Sequence, residues 1–223
     1  MKAPWPIYAA NIMVVAPLLA AVVRPSRTRG ARIWVATWSA LYVLENAIAI
    51  PLALNGHNNH LLTYIFVPLQ GAAILWAFSL WQTQQMPRLT MRAAIPGFLL
   101  AWLLLLSIED LSSFSAVAEP VYSLLALAAA LYTLVTRGAA SSLPLLRQDW
   151  FWVCGGLALH FGALALLTPL GAALVRSNPD VVVRAYTMRA WINMLAYACV
   201  TIGLLCPPPS ALSGRSFSPA LSA

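Results

Sequence analysis

Seven long apolar runs, separated by short connections, constrain this 223-residue chain more than any other feature of its sequence. A membrane-spanning helix needs about 20 predominantly apolar residues, and most of the runs approach or exceed that length. They cover residues 7–23, 33–54, 61–82, 93–108, 116–136, 150–175 and 182–206. Only 9% of the residues are charged, whereas soluble domains carry about 25%. The sequence therefore predicts an all-α, polytopic membrane protein with seven transmembrane helices.

The arginines predict the direction in which these helices cross the membrane. Most of them follow the odd-numbered runs: Arg24, Arg27, Arg29, Arg32, Arg88, Arg92, Arg137 and Arg147. The second connection has no Lys or Arg, and the fourth carries Glu109 and Asp110. The sixth, with Arg176 and Arg184 beside Asp180, is the exception. Cytoplasmic connections are enriched in Lys and Arg, so we expect the N-terminus outside and the C-terminus in the cytoplasm.

The chain is expected to form one domain and a tail. Residues 1–206 would make up the transmembrane domain, and the Pro- and Ser-rich segment 207–223 a disordered cytoplasmic tail. We expect the first run to stay as a helix, because cleavage as a signal peptide would leave four arginines outside. The formal net charge of +7 points to membrane lipids with anionic head groups as partners, and not to nucleic acid.

Two polar residues are expected to meet across the hairpin of the second and third runs. Glu45 lies nine residues before Leu54, and Gln70 lies nine residues after Leu61. A helical rise of 1.5 Å per residue places both roughly 13 Å below the helix ends. The turn between them begins with Asn55-Gly56, a typical helix stop. Asn58 or Asn59 can then cap the next helix.

The seventh run supplies the opposite charge. Tyr186, Arg189, Asn193 and Tyr197 recur at helical spacing and therefore share one face. Arg189 would lie near the depth of Glu45. We hypothesise that these two form a buried ion pair, whose remaining hydrogen bonds come from Gln70, Asn46 and Asn193.

A polar pocket is one interpretation of this cluster. Glu119, in the first turn of the fifth run, and Tyr122, one turn deeper, could line the same cavity. The predicted ligand-binding residues are Glu45, Asn46, Gln70, Glu119, Tyr122, Tyr186, Arg189 and Asn193. Polar residues within a membrane usually face the bundle or a cavity. They also hold helices together, at about 0.6 to 2 kcal/mol each, so both interpretations stay open.

Metals and cofactors are not expected. The three histidines are His57 and His60 in a surface turn and His160 in mid-helix, with no zinc-binding helical motif among them. We expect His160 to be a satisfied core histidine. A retinal Schiff base requires a lysine in the last helix, and the only lysine is Lys2.

Residues 55–70 follow the pattern N-G-x-N-N-x-x-L-x-x-I-F-x-P-L-Q, and Trp191, Asn193 and Tyr197 match a further pattern in the last helix. In these features, over about a third of its length, the chain resembles an uncharacterised family of small bacterial seven-helix membrane proteins. The resemblance implies the fold and a bacterial inner membrane, but no activity. Those proteins often have glutamate where this chain has Gln70, which counts against an acid role there.

Three functions fit these features. The first is a bundle that binds a small amphipathic or zwitterionic ligand, as a transporter or a sensor component with a protein partner in the membrane. The second is a membrane enzyme acting on a lipid or isoprenoid, with Glu45 or Glu119 as general acid. The third is a structural subunit of a membrane complex. We favour the first, and with it binding over catalysis.

Overall fold

The fold is a bundle of membrane-spanning helices, described here from a computed structural model for residues 4–111, 115, 117–174 and 179–207. These residues contain no strand and seven helical segments long and apolar enough to cross a membrane. They are α1, in two halves (Trp5–Met13 and Val15–Val23), α2 (Ala31–Leu54), α3 (His60–Trp81), α4 (Gln85–Leu106), α5 (Ala118–Ala140), α6 (Asp149–Leu174) and α7 (Pro179–Leu205). The prediction of an all-α, multi-pass membrane protein is confirmed. Arg176 and residues 208–223 of the predicted tail lie outside the described residues.

One helix begins well before its predicted start. α4 begins at Gln85, eight residues ahead of the apolar run, and arginine side chains near its start have partners in α3 and just beyond its end. The Arg88 Nη2 donates to the backbone oxygen of Gln82 at 2.8 Å. The Arg92 guanidinium lies 4.9 Å from the ring centre of Trp76, a cation–π contact. A hydropathy profile alone does not detect the start of α4, because this end of the helix carries charged residues.

The helices enclose a common interior. α6 packs most extensively against α7 and α5, and α2 packs against α3, which also contacts α5. The first half of α1 packs against α7, and its second half packs against both α7 and α2. α4 packs mainly against α3 and is the least buried span. We call the end with the connections after α1, α3 and α5 the basic end, and the end where residues 55–59 join α2 to α3 the hairpin end.

Two glycines bring the backbones of α6 and α7 together. A methyl group on Gly156 would lie 2.6 Å from the backbone oxygen of Ala196. One on Gly203 would lie 2.6 Å from a methyl group of Val153 and 2.9 Å from the backbone oxygen of Asp149. Small residues at helix crossings let backbones approach closely in membranes, where van der Waals packing drives association.

An ion pair joins three helices at the basic end. Arg32, in the first turn of α2, donates from Nε to the Asp149 carboxylate at 2.7 Å. Its Nη1 donates to the backbone oxygen of Cys206, just beyond α7, at 2.9 Å. A carboxylate at the start of α6 and a cation at the end of α7 both complement the helix dipoles. Arg32 therefore fastens α2 to the α6–α7 pair.

The hairpin end is ordered by side-chain caps. Gly56 stops α2 with a φ of 73°, as predicted. The side chain of Asn58 accepts the backbone N–H of His60 at 2.8 Å. Glu109 caps α5, because its carboxylate accepts the backbone N–H groups of Val117 and Ala118. Burial acts to raise the pKa of Glu109, but hydrogen bonds from these two N–H groups and from side-chain hydroxyls, that of Ser115 among them, together lower the pKa overall.

We expect Gly156→Ala to destabilise the protein by about 1–3 kcal/mol, the usual cost of forcing extra atoms into a packed interface. Thermal unfolding in detergent micelles measures the loss. Gly155→Ala is the matched control, since its new methyl group meets nothing within 4 Å. Equal melting temperatures for the two variants would show that α6 and α7 do not approach as described.

The Glu109 cap should make stability depend on pH. A folded pKa below the unfolded value of about 4.3 means that its contribution is present above that pH and is lost as pH falls through the folded pKa. Glu109→Gln should therefore cost about 1 kcal/mol at neutral pH and little in acid. Unfolding midpoints across pH measure this difference. A constant gap between variant and wild type at all pH values would contradict it.

Candidate functional site

The predicted meeting of Glu45 and Gln70 is confirmed. The Gln70 Nε2 donates to one carboxylate oxygen of Glu45 at 2.7 Å, and the Thr63 hydroxyl donates to the other at 3.4 Å. α2 and α3 place these groups at matching depths because the connection between the helices is short and their rise is regular. Gln70 is 2% exposed, so its amide lies in the interior of the bundle.

The predicted ion pair between Glu45 and Arg189 is wrong. Both side chains are described, and their charged groups do not approach within ion-pair distance. Arg189 instead lies within electrostatic range of Glu119, and its guanidinium lies 5.8 Å from the ring centre of Tyr186. α7 is rotated so that this arginine faces α5 as well as α2.

Three adjoining cavities occupy the half of the bundle nearer the hairpin end. The deep cavity, about 200 Å³, is lined by Tyr42, Glu45, Asn46, Ala49, Thr63, Val67, Gln70, Glu119, Tyr122, His160, Phe161, Leu164 and Arg189. The end cavity, about 440 Å³, is lined by Ala49, Ala53, Asn59, His60, Thr63, Ser115, Glu119, Thr168, Tyr186 and Arg189. The side cavity, about 200 Å³, is lined by Ile7, Ala10, Asn11, Tyr42, Asn46, Tyr186, Arg189, Ala190, Asn193 and Tyr197. Arg189 lines all three.

Every residue predicted to bind a ligand lines at least one of these cavities. Glu45, Gln70 and Tyr122 line the deep cavity alone. The side cavity has Asn193, and Tyr186 lies between the side and end cavities. The remaining three join cavities: Asn46, Glu119 and Arg189. All the residues predicted from sequence to bind a ligand therefore line this group of adjoining cavities. Their role in binding stays a prediction.

His160 is only half satisfied, contrary to expectation. It is 1% exposed, and its Nδ1 lies 3.0 Å from the side-chain oxygen of Asn193. Its Nε2 is buried without a hydrogen-bond partner. Four aromatic rings surround the imidazole at centre distances of 5.0 to 5.7 Å: Phe161, Tyr42, Tyr197 and Trp38. This histidine is part of the cavity wall and not an ordinary core residue.

Besides His160, sequence reasoning missed two polar contributors to the wall of the deep cavity, Tyr42 and Thr63. Tyr42 lies three and four residues before Glu45 and Asn46, so helical spacing places it on the same face and could have identified it. Thr63 bonds to Glu45 from α3 and lies seven residues before Gln70, again on one face. Short polar or aromatic residues at helical spacing are therefore informative even when they carry no charge.

The charges of the deep cavity are unequal. Two carboxylates, Glu45 and Glu119, lie within electrostatic range of one another, and Arg189 is the one guanidinium among the residues that line the cavity. Among the described residues, no group of three or more His, Cys, Asp or Glu side chains is placed so that it could hold a metal ion. The cavity is suited to hold an organic ligand with a charged group.

Comparison with family models, curated proteins and solved structures finds no match for this chain. The resemblance to bacterial seven-helix proteins therefore stays a prediction, and function is inferred from the cavities themselves.

Proposed function

We propose that this is a protein of the bacterial inner membrane that binds a small zwitterionic or amphipathic ligand, as a transporter or as the sensing component of a complex. The observation that carries the proposal is the position of Arg189, which lines the deep, end and side cavities together. A guanidinium offers a planar set of donors suited to a carboxylate or phosphate. Glu45 and Glu119 offer the complementary charge for a cationic group.

The cavities give a ligand two directions of approach. The end cavity reaches Asn59 and His60, beside the turn at the hairpin end. The side cavity is bounded by Ile7 and Asn11 of α1, a helix half that packs mainly against α7. Access from the membrane surface and from the flank of the bundle suits a ligand with both polar and apolar parts. It also suits a transporter or sensor more than a rigid scaffold.

Catalysis is a second candidate, and one observation favours it. Glu45, Glu119 and His160 line the same deep cavity, so a second titratable group lies near each possible general acid. A lipid or isoprenoid substrate could reach them through the side cavity. Mass spectrometry of lipids incubated with the protein tests this function. A product that forms with wild type and not with Glu45→Gln or Glu119→Gln would establish an enzyme.

Ligand binding should depend on Arg189 and not on total charge. We expect α-amino acids to raise the melting temperature of the protein in nanodiscs, and Arg189→Gln to abolish that shift. Arg184→Gln is the matched control, because this exposed arginine lies on the same helix and lines none of the three cavities. Loss of the shift in both variants would contradict a specific anion contact.

If no zwitterion shifts the melting temperature and Glu45→Gln changes only stability, the protein is better described as a structural subunit.

We further infer that the hairpin end faces outside and the basic end the cytoplasm, since the arginine-bearing connections share one end. In a cysteine-free background, His57→Cys should react with a membrane-impermeant maleimide in intact cells. Ser142→Cys, exposed at the basic end, should react only after permeabilisation. The reverse pattern would invert the orientation.

A further inference from the structure

The deep cavity contains a buried acceptor for which the described residues supply no donor. The side-chain oxygen of Asn193 can only accept, so the Nδ1 of His160 carries the proton in their 3.0 Å hydrogen bond. The proton assignment follows from this bond, and it leaves Nε2 as an acceptor. Nε2 is buried and unpartnered, and His160 lines the deep cavity. A ligand that satisfies this atom must bring an N–H or O–H group.

The charged residues of the deep cavity indicate which kind of N–H or O–H group the ligand carries. Arg189 interacts with Glu119, whereas the Glu45 carboxylate is held by neutral donors, Gln70 and Thr63. A carboxylate away from bulk water is costly unless an opposite charge accompanies it. With Glu45 and Glu119 both ionised, the deep cavity has one negative charge in excess of Arg189, together with an unpartnered acceptor on His160.

The aromatic residues of the wall favour a cation as well. Tyr42, Tyr122 and Phe161 line the deep cavity with Glu45, and ring faces attract ammonium groups, more strongly where water is excluded. An organic cation that carries N–H groups fits these features, because its N–H groups would also satisfy the Nε2 of His160.

We propose, on the basis of the binding function above, that the deep cavity binds the ammonium group of a primary amine. Glu45 supplies the counter-charge, and the Nε2 of His160 accepts one N–H hydrogen bond. Arg189, where the three cavities meet, then faces the anionic end of the same ligand. The bound molecule is thus a zwitterion oriented with its amine inward, and a quaternary ammonium compound is a poor substitute because it has no N–H to give.

Calorimetric titration of the full chain in phosphatidylcholine nanodiscs separates charge recognition from hydrogen-bond recognition. The probes are butylammonium, butyltrimethylammonium and butanol. We expect wild type to bind butylammonium at least about tenfold more tightly than either of the others, since hydrogen bonds to charged groups are the stronger kind. Glu45→Gln should weaken both cations by about tenfold or more. Asp180→Asn, an exposed acid on α7 outside the three cavities, should leave binding unchanged.

The role of His160 is tested by a paired substitution. His160→Phe combined with Asn193→Leu removes both hydrogen-bonding partners, which leaves no orphaned polar atom, and retains the aromatic packing. We expect it to abolish the preference for butylammonium over butyltrimethylammonium while both cations still bind. Glu45→Asp retains the charge and should retain cation binding within a few-fold, which distinguishes lost recognition from lost folding.

Three results would overturn this proposal. They are a wild type that does not bind butylammonium, one that binds it no better than butanol, and one that binds it no better than butyltrimethylammonium. In each case the zwitterion-induced thermal shift and its dependence on Arg189 would still report on the proposed binding function separately. Loss of that shift, with butylammonium still bound, would instead show that the cavity recognises simple amines.

Discussion

The close contact of α6 and α7 is the constraint on which the rest of the structure depends. Gly203 meets the backbone at Asp149, and Gly156 meets it at Ala196. Because the helices run antiparallel, the same register places His160 opposite Asn193. Their hydrogen bond is a third contact between α6 and α7 in this register. The next turn of α7 carries Arg189 into the cavities. A small-residue crossing near the basic end thus sets the height and rotation of the polar residues nearer the hairpin end.

Arg32 links the position of α2 to that of the α6–α7 pair. Its bonds to Asp149 and to the backbone oxygen of Cys206 tie the start of α2 to the ends of the helix pair that contains the crossing. α2 is 24 residues long, so fixing one end limits where Tyr42 and Glu45 can lie farther along. The site is therefore positioned by contacts at the opposite end of the bundle.

Much of this arrangement could be predicted from sequence, and the exceptions have physical reasons. The pairing of Glu45 with Gln70 was predictable, since a short turn and a regular rise fix relative depth. The partner of Arg189 was not, because depth says nothing about the rotation of α7 or about which helix lies beside it. That rotation follows from Gly156, whose importance appears only when the neighbouring backbone is known. The start of α4 was missed because Arg88 and Arg92 lower its hydropathy while bonding to α3.

Two kinds of polar cluster in the same membrane domain show what the cavities are suited for. At the basic end, Gln82 donates to the Thr133 hydroxyl and accepts from the Thr136 hydroxyl, each at 3.0 Å. Its amide is satisfied by the protein alone, as a cluster that only joins helices requires. His160 has its Nδ1 bonded and its Nε2 unpartnered, and it lines the deep cavity together with Glu45. Leaving a buried acceptor unpaired costs about 1–3 kcal/mol. Under the proposed binding function, the ligand that completes the bond recovers that free energy and is selected by it.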